Sequence, residues 1–500
     1  MSTNLLPLWV TSRPLPVGGI ALLCILVAAA NAILVDFLET FLKRPRHFSK
    51  EPWWKSLLSK KPRANVPVIE YPDRAYKIRH FPDEIVIVPH NFIEVIKNTP
   101  ESKLSFQQAS YDFFLGKLTG ITGHEHEMSA LIRRDIARLL DRVYDTVEDE
   151  AKRAVAAQIG PCEDWTPIVL LPRVVQMIIN ISQRVFVGEP LCRDERWVQC
   201  ITQCTAGAFQ SVPKLWPYHW LMRPFVAWRL SELRSVRKHR IEAKKLLKPI
   251  LEKRLEDMKS EKFEPPADLI QLVIDGTKGQ GRNLDYQVNA QIGTGRAALF
   301  TTGVTVTHLL YDLATRPKYI EPLRQEVLEL GPVKMNRANV AKLKKMDSFI
   351  RECQRWNKFM LVGTIRKVLK PMTLPDGTQL PVGTLLGMDT QNAIFNHSTL
   401  EKPDVFDGFR FERLRSVPGS EQKFQAVNPG PDHLVYGYGT QACPGRFFAV
   451  HEAKVVLARI LTKYDFKLAK PAESPMSRAK GILTEADATV EFLFKARKDN

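Results

Sequence analysis

Near its C-terminal end the chain carries one cysteine in an unusual setting: Tyr436-Gly437-Tyr438-Gly439-Thr440-Gln441-Ala442-Cys443-Pro444-Gly445-Arg446-Phe447-Phe448-Ala449. Gly439 and Gly445 permit a tight loop and a close approach of the backbone to a ligand. An amphipathic helical pattern starts directly afterwards, so Cys443 falls at a helix N-terminus, where amide groups and the helix dipole favour a thiolate. A thiolate in a glycine-rich cradle is suited to hold haem iron from one side. On this window alone, a buried structural cysteine in a turn is the plainer alternative.

The other cysteines, at 24, 162, 192, 200, 204 and 353, are widely dispersed, and the total of seven is odd. That argues against a disulfide framework and for a reducing compartment. Cys200 and Cys204 have helical spacing but no nearby histidines, so they read as core packing and not as a metal site. The formal charge is +18, from 72 Lys+Arg against 54 Asp+Glu. Such an excess suits nucleic acid, an anionic membrane or an acidic protein partner. No zinc-finger spacing or aromatic-basic platform supports nucleic acid, which is therefore set aside.

Several elements must position the cysteine. A long helix is expected to start after Asn283 and run to Arg316, where Pro317 stops it. Its middle, Ala297-Ala298-Leu299-Phe300-Thr301-Thr302-Gly303, is nearly free of charge, which places it in a core; its small residues would let a flat ligand approach. Further helices are expected over about 318–330, 340–357 and 446–463, the last with Ala449, Ala453, Val456, Leu457, Ile460 and Leu461 on one face. Residues 68–100 and 364–386 read as short strands, the latter around the turn Pro375-Asp376-Gly377, and 126–260 as mostly helical. The stretch 212–230 crowds aromatic residues such as Trp216, Trp220 and Trp228 around three prolines. It reads either as buried packing between helices or as a surface that touches lipid and admits an apolar substrate.

Residues 15–35 form an apolar run long enough to span the roughly 30 Å hydrocarbon core of a bilayer. A signal peptide would have a shorter apolar stretch, a basic region before it and a cleavage site after it. Here Arg13 alone precedes the run, and Lys43, Arg44, Arg46 and Lys50 follow it. A retained single-pass anchor (1–42) is expected, then a basic, proline-bearing linker (43–67) and a catalytic domain (68–500) held in the cytosol.

The cysteine window resembles the haem loop of the cytochrome P450 family, with Tyr436, Gly439, Cys443 and Gly445 in the motif's places. Two further motifs follow the family's order. Glu352-Cys353-Gln354-Arg355 is similar to its Glu-x-x-Arg, and Phe406-Asp407-Gly408-Phe409-Arg410-Phe411 to the segment that returns an arginine to that pair. The resemblance implies a mainly α fold with a small β portion, preceded by one transmembrane helix. It implies haem b held by Cys443, a structural lock of Glu352, Arg355 and Arg410, and a propionate contact from Arg366, for which Lys367 competes. The family usually has a basic residue two before the cysteine, where this chain has Gln441. The family's central helix has a small pair, one residue, an acid and then a threonine. Thr301 fits as the proton-handling residue, but Phe300 stands in the acid's place. Leu310-Tyr311-Asp312-Leu313 and Asp407-Gly408-Phe409-Arg410 are similar to fungal enzymes of terpenoid and other secondary metabolism. The resemblance thus implies an endoplasmic-reticulum monooxygenase that oxidises an apolar small molecule with dioxygen and electrons from an NADPH-dependent reductase. The alternatives are a haem-thiolate isomerase or dehydratase, or a membrane haem protein without catalysis.

Overall fold

Asn283 starts the central helix as the sequence predicts: its side chain accepts hydrogen bonds from the Asp285 and Tyr286 amides at 2.9 and 3.1 Å, satisfying two of the donors that a helix start leaves open. In the computed structural model, which describes residues 75–80, 83–121, 125–395, 400–470, 477–480 and 482–498, seven helices of thirteen residues or more carry the architecture. They are α1 (Glu125–Ile159), α2 (Leu170–Phe186), α3 (Glu195–Leu215), α4 (Ser231–Asp257), α5 (Leu284–Thr315), α6 (Lys344–Trp356) and α7 (Arg446–Lys463). Helix α5 packs against α2, α3, α4, α6 and α7. Val288, Ile292, Leu299, Val306, Leu309, Leu310 and Leu313 on it are buried, each burial contributing about 1.5–3 kcal/mol.

The β portion is small. A five-stranded sheet runs in the order β1 (Tyr76–His80), β2 (Asp83–Ile87), β6 (Leu385–Asp389), β5 (Val362–Val368), β3 (Leu104–Ser105). Only the β2–β6 pairing is parallel. A second sheet places β8 (Glu491–Ala496) between β4 (Thr166–Val169) and β7 (Tyr464–Leu468). The turn at Pro375-Asp376-Gly377 joins a short hairpin, with Gly377 at φ +84°.

Three expectations change. The helix predicted over 340–357 is two helices, broken at Leu343 between Arg337–Lys342 and α6. Helix α7 does not bury one face alone: His451, Glu452, Lys454, Val455 and Ala458 are buried along with the predicted apolar side. It lies between α1, α5 and other helices, so polar residues are enclosed too. Of the small residues of α5, Gly295 and Gly303 serve helix packing, while Ala297 is exposed as ligand approach requires. A Cβ at Gly303 would meet Val175 of α2 at 2.9 Å, and one at Gly295 would meet Ile201 of α3 at 2.9 Å.

Cys200 and Cys204 are buried in the core as read, and burial pushes their thiols up to about 11 and about 12. The reading of 212–230 as buried packing fails: Trp220, Met222, Phe225 and Trp228 are all about half exposed or more. The anchor expected at 15–35 and the linker at 43–67 lie outside the described residues. Among the described residues no helix is long and apolar enough to cross a membrane.

Candidate active site

The cysteine loop is closed by hydrogen bonds within itself. The Cys443 amide donates to the Tyr436 carbonyl at 2.7 Å, and the Ala442 amide to Gly439 at 3.1 Å. The left-handed turns fall at Gly437 (φ +70°) and Gly439 (φ +80°). Gly439 admits no side chain, since a Cβ there would lie 2.7 Å from the Lys97 carbonyl. Gly445 is different. Its φ is −80° and an added Cβ would meet nothing within 4 Å, so the fold alone does not require glycine there. Tyr436 accepts a hydrogen bond from Gln354 of α6 at 2.7 Å, fixing the start of the loop.

Cys443 is the one exposed cysteine among the described residues. The residue is exposed, yet desolvation by the enclosing protein pushes the thiol up; the amides of Gly445 and Arg446 and the charges of Arg446 and Arg133 oppose this. The helix N-terminus therefore acts in the expected direction but is outweighed. A metal cation at the sulfur would supply the missing charge and hold it as a thiolate.

Arg366 offers the fit test for a haem. It is buried on β5, and burial pulls its guanidinium down to about 10. It donates to its neighbour's carbonyl, Ile365, at 2.8 Å, while its Nε finds no partner. No carboxylate among the described residues bonds it. Lys367, its rival, is paired with Asp112. The charge of Glu101 acts on it without a hydrogen bond to it; a buried cation with an unpaired Nε is costly, and a propionate would pair it. The residues present therefore fit a haem.

Gln441, which departs from the family pattern, is fully engaged. Its Oε1 accepts from the Phe106 amide and its Nε2 donates to the Leu104 carbonyl, both at 2.8 Å. A primary amide presents donor and acceptor side by side, as the edge of an extended strand requires; arginine and lysine have no acceptor.

Helix α5, on which α7 packs, is open in mid-helix. Ala297 and Thr301 are exposed and Phe300 is 39% exposed, although residues 302–304 behind them are buried. Positions 297, 300 and 301 share one helix face, and that face is left uncovered by the protein. The Thr301 hydroxyl donates to the Ala297 carbonyl at 2.8 Å, and the Thr305 hydroxyl to the Thr301 carbonyl at 2.8 Å.

Behind the site, Glu352 is fully buried and bound by Arg355 in a fork: Nε to Oε2 at 2.8 Å and Nη2 to Oε1 at 2.7 Å. The Asp407 amide adds a third bond at 2.9 Å. Arg410 approaches Glu352 at 3.6 Å and spends its hydrogen bonds on the carbonyls of Glu401, Lys402 and Val405. The three residues are thus together, with Arg410 bracing the loop more than the carboxylate.

The family model described as Cytochrome P450 matches residues 112–492. The chain belongs to the cytochrome P450 family. Its relatives include the cytochrome P450 monooxygenase BOA4 of Botryotinia fuckeliana, 37% identical over 82% of this chain and 84% of that protein. Another, BOA7 of the same fungus, is 36% identical over 81% of each. A solved structure, retinoic acid bound cyanobacterial CYP120A1, has the same P450 fold at a TM-score of 0.63 and 15% identity, over 85% of this chain and 92% of that one.

Sequence reasoning missed several residues of this P450 site. Arg133 of α1 stands close enough for its charge to act on both Cys443 and Arg446; the Arg133-Arg134 doublet inside an amphipathic helix was the available signal. Asp312 ties α5 to the lock, paired with Arg316 at 2.6 Å and bonded by Asn357 at 2.5 Å. The motif around Asp312 was noticed for resemblance and not for this contact.

Proposed function

We propose that this cytochrome P450 monooxygenase holds haem b through Cys443 and oxidises an uncharged, apolar small molecule, of the terpenoid or other fungal secondary-metabolite kind, by hydroxylation, desaturation or epoxidation. The supporting observation is the exposed cysteine before α7 together with a buried arginine whose Nε is unpaired, with α7 packed on a helix whose open residues Ala297, Phe300 and Thr301 carry no charge. Cys443 would ligate the iron, and Arg366 would bind a propionate. Tyr436, Gly439 and Gly445 would shape the loop around the ring. When bound, haem with a thiolate ligand supplies the activation of dioxygen.

The protein's own task is to exclude charge and deliver protons. The Thr301 Oγ1 can accept from a water, and its proton can turn from the Ala297 carbonyl to donate to that water, whereas the Phe300 side chain can relay nothing. Protons then reach Thr301 through ordered water or through a hydroxyl of the substrate. Glu352, Arg355 and Arg410 serve as a structural lock.

Electrons come from an NADPH-dependent P450 reductase, an acidic partner suited to part of the +18 charge. The chain sits in the endoplasmic reticulum membrane by residues 15–35 with its catalytic domain in the cytosol. The half-exposed Trp220, Met222, Phe225 and Trp228 favour lipid contact.

In the test, reduced membranes are exposed to carbon monoxide, and the wild type gives the haem-thiolate spectrum. Cys443→Ala abolishes it. Survival of the signature in that variant removes Cys443 as ligand. Product formed without oxygen or NADPH replaces oxidation with an isomerase or dehydratase reading.

A further inference from the structure

The space beside α5 is walled by rings. Phe300 lies with its centroid 6.1 Å from Phe209 of α3 and 6.2 Å from Phe359, which precedes β5. Phe209 meets Phe114 edge-on at 5.1 Å, Phe114 meets Phe113 at 4.9 Å, and Phe113 meets Trp216 at 5.2 Å. The rings come from separate parts of the chain, and none of them is buried in the core.

Resting on the oxidation reading above, we propose that Phe300 sets the substrate class: with Phe209 and Phe359 it forms a rigid ring wall that selects an uncharged fused aromatic body over an open chain. Each ring has two side-chain torsions, and the ring on either side of Phe300 restricts them, so the wall presents fixed flat faces. Ring against ring is favourable beyond the area buried, in offset or edge-on geometry. An open chain gains the area but not that contact, and loses more rotamer freedom when it is held. Charge is excluded by the same surface. Ala297, Thr301 and Thr305 add a methyl group and two hydroxyls to it, and both hydroxyls already donate to backbone carbonyls. An ionised ligand group against the rings and Ala297 would be desolvated without a partner.

The test measures binding of naphthol and decanol, matched in carbon count and each with one hydroxyl, to the full chain in detergent by equilibrium dialysis against a micelle blank. The quantity read is the naphthol-to-decanol affinity ratio relative to wild type, in which partitioning into detergent cancels. Phe300→Leu keeps an apolar side chain but removes the ring, and should lower the ratio by roughly three- to tenfold, the scale of a lost ring contact. Phe300→Tyr should restore it. Phe209→Leu should shift it in the same direction, which keeps the proposal open to refutation if Phe300→Leu does not fold. A ratio unchanged in the folded leucine variants overturns the wall. Dialysis needs no turnover. A wild type without the haem-thiolate spectrum but with the ratio shift overturns the oxidation reading and upholds the wall, whereas an intact spectrum with an unchanged ratio overturns the wall alone.

Discussion

The two sides of the site differ in how far the protein completes its own bonding. Behind the cysteine, both oxygens of Glu352 are used, by Arg355 and by the Asp407 amide. Beside α5, Phe300 and Thr301 stay open, and Arg366 keeps a nitrogen without a partner. On the closed side the buried carboxylate is fully bonded without any bound group, although the Arg410 Nε, 3.6 Å from it, has no hydrogen bond. The open side is left for bound molecules to complete. Substitutions on the first should therefore act on folding, and on the second on binding and chemistry.

The sharpest way to break that contrast is Glu352→Ala. It strands the Arg355 and Arg410 charges in the interior, at a cost of about 3–5 kcal/mol, a large share of the stability of an ordinary domain. Denaturant unfolding and haem content should both fall steeply; an unchanged midpoint would make the pair dispensable. Arg366→Leu should act with opposite signs in two states. Haem-free protein should gain stability, because a buried cation with an unpaired nitrogen is gone. Loaded protein should lose a charge-assisted bond of about 1.5–3 kcal/mol, seen as roughly ten- to a hundredfold faster transfer of haem to apomyoglobin. Equal signs in the two states would refute the propionate contact. Gln441→Arg removes the acceptor for the Phe106 amide and should cost about 1 kcal/mol, measured by thermal unfolding. Thr301→Ala should change stability least, by about 0.5 kcal/mol or less. It should still raise hydrogen peroxide released per NADPH consumed, and unchanged coupling would take Thr301 out of proton handling.

The sequence was most readable where local rules and tertiary structure agree. Asn283 and Pro317 bracket α5 because capping and ring closure act within a few residues. Cys443 stood out because glycines, a cysteine and a helix start coincide. Less readable was anything that depends on a distant partner. The choice of Arg366 over Lys367 turns on Asp112, far away in the chain. Gln441 looked like a lost propionate contact, while its use depends on Leu104 and Phe106. The aromatic stretch at 212–230 has the composition of a core, and only the packing of α3 and α4 shows that Phe225 and Trp228 are turned outward. Burial of charged residues on α7 could not be foreseen from its apolar face, because it needs helices on several sides.

Gln441 has a consequence beyond the haem loop. Strand β3 is the last of the five-stranded sheet, paired with β5 on one side alone. An unpaired strand edge is a template on which another chain can add by backbone hydrogen bonds. By taking the Leu104 carbonyl and the Phe106 amide together, one side chain stands in for the next strand and ends the sheet. The loop that presents Cys443 thereby guards an edge against intermolecular pairing, and losing the amide would favour self-association when the chain is concentrated or partly unfolded.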